Sequence, residues 1–248
     1  MAKVIKKPSA LKEEYLHLKV RFKRAVLSLL ALIGIAVLGN LIMQSDKLYS
    51  LGMILVGAAV LGFFICLGII MSTQSSISIK GQGVLGEERA LSQLAEGLDD
   101  SYTIIQNAVI TLDGKSSEID LIVVGLNGVF AIETKNRNGL IEGGYDRERW
   151  LQHKVGRRGG EYSAEFYSPV KQVGTHVFRL AGFLKQNGIR FYIMGAVYFS
   201  NPEARVRLSG EADKIPVFSS QSDLILYIKT NNASLPLETK QKIINLIK

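Results

Sequence analysis

The chain has 248 residues, 47% hydrophobic and 21% charged, with a mean hydropathy of +0.18, which excludes a disordered or collagen-like protein. Its one cysteine, Cys66, excludes an intrachain disulfide framework, and His17, His153 and His176 are too scattered for a structural zinc site. The net charge of +8 is uneven: residues 1–24 carry +6, residues 25–72 are neutral, and residues 73–248 carry +2.

Residues 1–24 read as a basic tail. Ala25–Met43 and Leu51–Met71 are uncharged runs of 19 and 21 residues. As helices they would span about 28–32 Å, the thickness of a bilayer's hydrocarbon core. A transmembrane hairpin over residues 25–72 is therefore predicted, with a buried soluble hairpin as the competing reading. A cleaved signal peptide fits badly, because a second span follows the first. Eight Lys/Arg precede the first run, whereas the connecting loop holds only Lys47. The positive-inside rule then keeps the N-terminus cytoplasmic, and two spans return residues 73–248 to the same side. Gly34, Gly39, Gly52, Gly57, Gly62 and Gly68 would permit close helix approach.

Residues 73–82 are polar and serine-rich, the composition of a linker, and a domain is expected over 83–248. Gly81-x-Gly83-x-x-Gly86 matches a dinucleotide-binding fingerprint in letters only. No buried strand precedes it, and Tyr102–Thr111 contains no acidic residue. The glycines read instead as a flexible entry to a helix over Glu87–Leu98. Tyr102–Thr111 is a predicted strand. Glu118–Val124 and Val129–Lys135 alternate around Gly125-Leu126-Asn127-Gly128 and form a predicted hairpin. Asn136–Gly144 is turn-rich. Beyond it Tyr145 and Trp150 interleave with Arg147, Arg149, Lys154, Arg157 and Arg158. This cluster suits a nucleic-acid backbone or anionic headgroups, and Trp150 itself reads as a core anchor. Ser168-Pro169 caps a helix running to about Gln186, whose apolar stripe is Val170, Val173, Val177, Leu180 and Leu184. Gln172, His176 and Arg179 read as a polar stripe, with His176 and Arg179 assigned to solvent. Strands at Arg190–Ser200 and Ile215–Ser219 and helices at Ser222–Thr230 and Leu237–Lys248 complete a mixed α/β (α+β) sheet with helices packed on it.

The hairpin carries the candidate chemistry. If Gly125 pairs with Gly128, paired residue numbers add to 253 and Asp120 faces Glu133, with Cβ atoms about 5 Å apart. Two facing carboxylates repel unless a cation lies between them, and Lys135 is one pleat beyond Glu133. That set suits metal-assisted phosphodiester hydrolysis. A tighter Asn127-Gly128 turn makes the sum 255 and pairs Asp120 with Lys135 in an ordinary salt bridge. Spacing alone leaves both open.

The stretch from Glu118 through Asp120 to Glu133-Thr134-Lys135-Asn136, with Gly86-Glu87 before it and Trp150, Pro169 and Gln172 after it, resembles the nuclease-related domain (NERD) family. That family belongs to the PD-(D/E)xK nuclease superfamily, and the resemblance covers roughly Gly81 to Val206. It implies a restriction-endonuclease-like core preceded by the hairpin. Asp120 and Glu133 become metal ligands for Mg²⁺ or Mn²⁺, with Thr134 contributing its carbonyl. Lys135 positions the nucleophilic water, while Gln172 and Glu87 complete the site. The sequence departs from the pattern at Ile119, Leu121 and Glu118 without losing a core ligand. The resemblance implies nucleic acid as partner, DNA favoured over RNA, at a membrane entered through residues 25–72. The alternative is a non-catalytic, membrane-tethered binding module on the same fold. With a net of +2 on residues 73–248, nonspecific affinity would be weak and its salt dependence shallow. The sequence does not fix oligomeric state.

Overall fold

The computed structural model describes residues 1–155, 159–210 and 215–248. They divide into two compact units, one of Ser9–Gln82 and one of Met1–Pro8 with Gly83–Lys248. In chain order the elements are β1 (Lys3–Lys6), α1 (Ala10–Ile42), α2 (Tyr49–Gly97), β2 (Thr103–Leu112), β3 (Lys115–Gly125), β4 (Gly128–Lys135), β5 (Gly139–Gly144), β6 (Arg149–Val155), β7 (Glu161–Tyr167), α3 (Pro169–Gln186), β8 (Ile193–Phe199), β9 (Ala204–Ser209), β10 (Val217–Phe218), α4 (Gln221–Lys229) and α5 (Leu237–Ile247).

The unit Ser9–Gln82 holds α1 and most of α2. Both helices are long and apolar enough to cross a membrane. Their large side chains, Leu30, Ile54, Leu61 and Phe64 among them, are mostly exposed, unlike those of a soluble core helix. Of the six glycines, Gly39, Gly52 and Gly62 sit against the facing helix, where a Cβ would collide. Gly34, Gly57 and Gly68 face open space. Residues 73–82 are not a linker of turns but part of α2. Within it Ser72, Thr73, Ser75 and Ser76 satisfy their hydroxyls on carbonyls three or four residues earlier, so the polar run is accommodated in the helix. Gly81, Gly83 and Gly86 likewise lie inside α2 rather than in a flexible entry.

The second unit is built on two sheets. The larger has the order β1-β2-β3-β4-β8-β10, with β2, β3 and β4 antiparallel in succession and β1, β8 and β10 added in parallel. Ala90, Leu91 and Leu94 in the last turns of α2 and Leu98 just after it, with Leu224 and Ile228 of α4, cover one face. Leu180 and Leu184 of α3 with Ile243, Ile244 and Ile247 of α5 cover the other. The smaller sheet, β7-β6-β5-β9, buries Ile141, Trp150 and Phe166 against Val170 and Val173 of α3 and Phe199 of β8. Trp150 is fully buried and donates its indole N–H to the Gly144 carbonyl at 3.1 Å, which makes it the core anchor expected.

Two expectations change here. The tail 1–24 is not free: Lys3–Lys6 pair with Thr103–Gln106, and residues from Ala10 onward are helical. Val4 and Ile5 pack on opposite faces of the larger sheet because alternate strand residues point apart. The turn-rich and basic stretch after β4 forms the smaller sheet, whose first strand contains three glycines and so reads poorly as a strand.

Without β1, the backbone groups of β2 on that side lose their partners. Replacing Val4 and Ile5 together by alanine should cost about 2 kcal/mol, below the core value because both side chains are half-buried. The fluorescence of Trp150, the only tryptophan, monitors the unfolding transition that checks this.

Candidate active site

The site forms where β3 and β4 part. Their ladder runs from Gly125↔Gly128 to Leu121↔Ile132, so paired numbers add to 253 and the tighter 255 register does not form. One residue further, the Asp120 side chain replaces the backbone ladder. Its Oδ2 accepts the Thr134 N–H at 2.7 Å and the Thr134 hydroxyl at 2.9 Å. On the neighbouring strand Asn107 takes a positive φ of 55°, and inward-facing residues change parity on either side of this point. Asn is among the few non-glycine residues that tolerate that conformation. The local distortion turns Asp120 toward β4.

Glu133 is 2% exposed and carries two partners. Lys135 Nζ donates to its Oε1 at 2.5 Å, and His176 Nε2 lies 3.2 Å from its Oε2. Because an ionised carboxylate only accepts, Nε2 is the donor. Lys135 Nζ also donates to Gln172 Oε1 at 3.1 Å, which ties α3 to the strand end. Asp120, Glu133, Thr134, Lys135 and Gln172 are thus brought together at this strand end. Glu87 lies on α2 beside Gly86, whose Cα abuts Asn136 too closely for any Cβ. The Gly86 carbonyl accepts the Ser200 hydroxyl at 3.1 Å, and Ser200 N–H donates to the Lys135 carbonyl at 3.0 Å. That packing places Glu87 near the same strand end.

His176 was assigned to solvent from its sequence position; instead it is 6% exposed and touches Glu133. A signal was available, because His176 stands three residues after Val173 and four before Leu180, within the buried stripe. Its Nδ1 is buried with no partner among the described residues. Arg179 bonds instead to the Ser116 carbonyl at 3.0 Å and to the Ser117 hydroxyl. Of the Arg147–Arg158 cluster, the described members Arg147, Arg149 and Lys154 do not share one face. Arg147 is exposed in the turn before β6, and Arg149 and Lys154 stand on opposite faces of β6. Arg149 pairs loosely with Glu165 at 3.9 Å. Arg157 and Arg158 lie outside the described residues.

Electrostatics separates the two carboxylates. Burial, then the charge of Glu133, pushes Asp120 up from its ordinary 3.8 to about 7, against the pull of Lys135 and the Thr134 hydrogen bonds. Burial also pushes Glu133 up, but the His176 hydrogen bond and the charge and hydrogen bond of Lys135 outweigh it and leave Glu133 lowered. The pair therefore holds one charge near Glu133 and resists a second. Among the described residues no group of three or more His, Cys, Asp or Glu stands together as a metal cage. Two carboxylate groups, one partly exposed, still fit a hard divalent cation, which takes oxygen donors and fills its other positions with water or substrate phosphate.

Residues 82–200, a little under half of the chain, match the family model described as nuclease-related domain. This segment is similar to NERD domains. The PD-(D/E)xK nucleases are the general kind to which NERD belongs. An uncharacterised protein of Bacillus anthracis is 30% identical over 108 residues, 43% of this chain and 49% of that protein. The chain thus spans about half the length of the curated relative it matches. No solved structure matches it. The match supports nuclease-related function and nucleic acid as the general class of partner.

The raised Asp120 value has a signed consequence. In EDTA the folded protein holds the Asp120 proton more tightly than the unfolded chain does. This contribution to stability is complete below about pH 4 and is lost as pH rises through about 7. Asp120→Asn keeps an acceptor for Thr134 and removes the charge. It should flatten that decline and raise the neutral-pH melting temperature, which a thermal series across this pH range measures.

Proposed function

We propose that the chain is a membrane-anchored nuclease, facing the cytoplasm, that hydrolyses nucleic-acid phosphodiester bonds with Mg²⁺ or Mn²⁺. The observation that carries the proposal is the convergence of Asp120, Glu133, Lys135 and Gln172 at one strand end inside the NERD segment. Asp120 and Glu133, with the Thr134 carbonyl, would hold the cation. The ion would polarise the phosphodiester and lower the pKa of its bound water.

The chain's own groups supply the rest. The Lys135 ammonium, fixed between Glu133 and Gln172, places positive charge where the attacking water and the developing phosphorane charge would lie. Gln172 orients that ammonium. His176 orients Glu133 from the buried side and leaves its Oε1 edge toward Lys135. Glu87 would add a further acidic group from α2. Sites held by packing and neighbouring hydrogen bonds keep reactive geometry without reorganisation during the reaction.

The membrane part of the proposal rests on α1 and α2. Their exposed apolar side chains need a nonaqueous surrounding, and the Lys/Arg before Ala25 set the cytoplasmic end. The pairing of β1 with β2 supports an even number of crossings, because the chain before α1 and the chain after α2 share one sheet. A tethered binding module is the second reading, favoured by the Lys135–Glu133 ion pair and the absence of a three-ligand cluster among the described residues.

The full chain, wild type beside Glu133→Ala, is tested on labelled single- and double-stranded DNA and RNA with Mg²⁺, Mn²⁺ or EDTA, DNA first. Metal-dependent cleavage by wild type alone is expected. Binding without cleavage under every condition would transfer the assignment to the tethered module. His176→Ala should retain the fold and lose roughly 10–100-fold in activity, the usual effect of removing the partner that orients a metal-ligating side chain.

A further inference from the structure

The strand end carrying Glu133 and Lys135 is flanked by two guanidinium groups that make no ion pair among the described residues. Arg137 stands two residues past Lys135, in the segment 136–138 between β4 and β5, and is half-buried. Its Nη1 donates to Gln152 Oε1 at 2.7 Å, and its Cζ lies 4.0 Å from the centroid of the Phe166 ring. Gln152 is itself fixed, buried and donating to the Asn138 carbonyl at 2.7 Å. The guanidinium is thus held flat on an aromatic floor, with Gln152 as its side-chain hydrogen-bond partner among the described residues. Phe166 lies three residues before the start of α3, the helix whose Gln172 receives Lys135, so both cations converge on the same helix end.

Arg89 approaches from the other face of the larger sheet, on α2. It donates to the Ser200 carbonyl at 3.3 Å, and Ser200 N–H in turn donates to the Lys135 carbonyl. A guanidinium withdrawn from water without a counter-charge is a free-energy cost, and burial accordingly lowers the Arg137 pKa. Lys135 already pairs with Glu133, so neither arginine is needed to neutralise that carboxylate. A planar, stacked arginine with no ion-pair partner among the described residues, beside the proposed hydrolytic site, matches an anionic oxygen ligand that arrives with the substrate.

We propose that Arg89 and Arg137 form a two-point clamp for backbone phosphates of a nucleic-acid strand, one to either side of the phosphodiester presented to Asp120, Glu133 and Lys135. This rests on the nuclease reading and names the surface that grips its substrate. The clamp contacts phosphate and carries no base specificity. It also places the substrate track away from the Arg149 face of the smaller sheet.

Counterion release gives a readout that a structural role would not move. The full chain with Asp120→Asn, to prevent cutting, is titrated in detergent and EDTA with labelled single-stranded and duplex oligonucleotides over a range of salt. Arg137→Gln and Arg89→Gln should each weaken binding roughly ten-fold. Each should also reduce the log–log salt slope by about 0.9 on duplex or about 0.7 on single strands, and the double variant by about twice that. Arg137→Lys should keep the slope and lose part of the affinity, because charge persists without the planar fork. Arg149→Gln should change neither.

A fall in affinity with unchanged slope for Arg137→Gln and Arg89→Gln would mean fewer folded molecules rather than fewer phosphate contacts, and it overturns the clamp. Arg89→Gln decides the matter if Arg137→Gln does not fold, since Arg89 is exposed and makes one long carbonyl contact. If the Asp120→Asn chain binds no oligonucleotide at all, the nucleic-acid reading itself falls. That outcome is distinct from one in which the parent binds and the arginine variants match it.

Discussion

Two carboxylates cannot share a desolvated pocket with both charges intact unless something cationic stands beside them. Most of this site can be derived from that constraint. At the fork between β3 and β4, Asp120 leaves the ladder and takes over Thr134's N–H, which aims one carboxylate at the other. Glu133 favours its charged form because Lys135 and His176 both donate to it; Asp120 gives up its charge more readily because burial and the neighbouring Glu133 charge both disfavour its ionised form. One carboxylate is favoured as the anion and held in orientation, and the other is partly exposed and raised to about 7.

The hairpin was legible in the sequence because its evidence is local. Alternation fixes which residues share a face, and a four-residue connection limits the register to two choices. Tertiary packing chose between them: a Cβ on Gly125 would strike Tyr102, and one on Gly128 would strike Met194, so both strand ends need glycine. Helix α3 was legible for the same reason, from its Ser168 cap through its apolar stripe. What failed depended on partners distant in sequence. Residues 3–6 become a strand only because β2 has an open edge. The smaller sheet assembles from segments 139–167 and 204–209, and the pairing of β5 with β9 has no local signature. His176 looked like a surface residue because α3 was treated as having one buried face. In fact α3 packs on the larger sheet with Leu180 and Leu184 and on the smaller with Val170 and Val173, and the site lies where those faces meet.

Charge gives a second example of global quantities misleading where local ones inform. The +8 of the whole chain belongs mostly to residues 1–24, and the Arg147–Arg158 run drew attention through density alone. On β6 the pleat sends Arg149 and Lys154 to opposite faces, so neighbours in sequence do not share one surface there. Arg89 and Arg137, 48 positions apart and unremarkable as letters, meet the same strand end because α2 and the smaller sheet pack on its two faces. A substrate surface built from a few placed cations does not require a basic domain. It grips a backbone at the point of reaction and leaves the remaining surface near neutral.

The same logic bears on why such a site would be tethered. A domain with little net charge gains little from long-range attraction to nucleic acid, so its encounter rate is modest in free solution. On the proposed topology, residues 1–8 and 83–248 are held together by the β1–β2 pairing, with the hairpin leaving and re-entering one fold. Restricting that fold to a surface raises its effective concentration toward anything passing there, without new contacts. It also confines its action to that place. Weak general affinity combined with local anchoring would then limit where cutting occurs, and β1 is the element that returns the chain before α1 to the sheet carrying the candidate site.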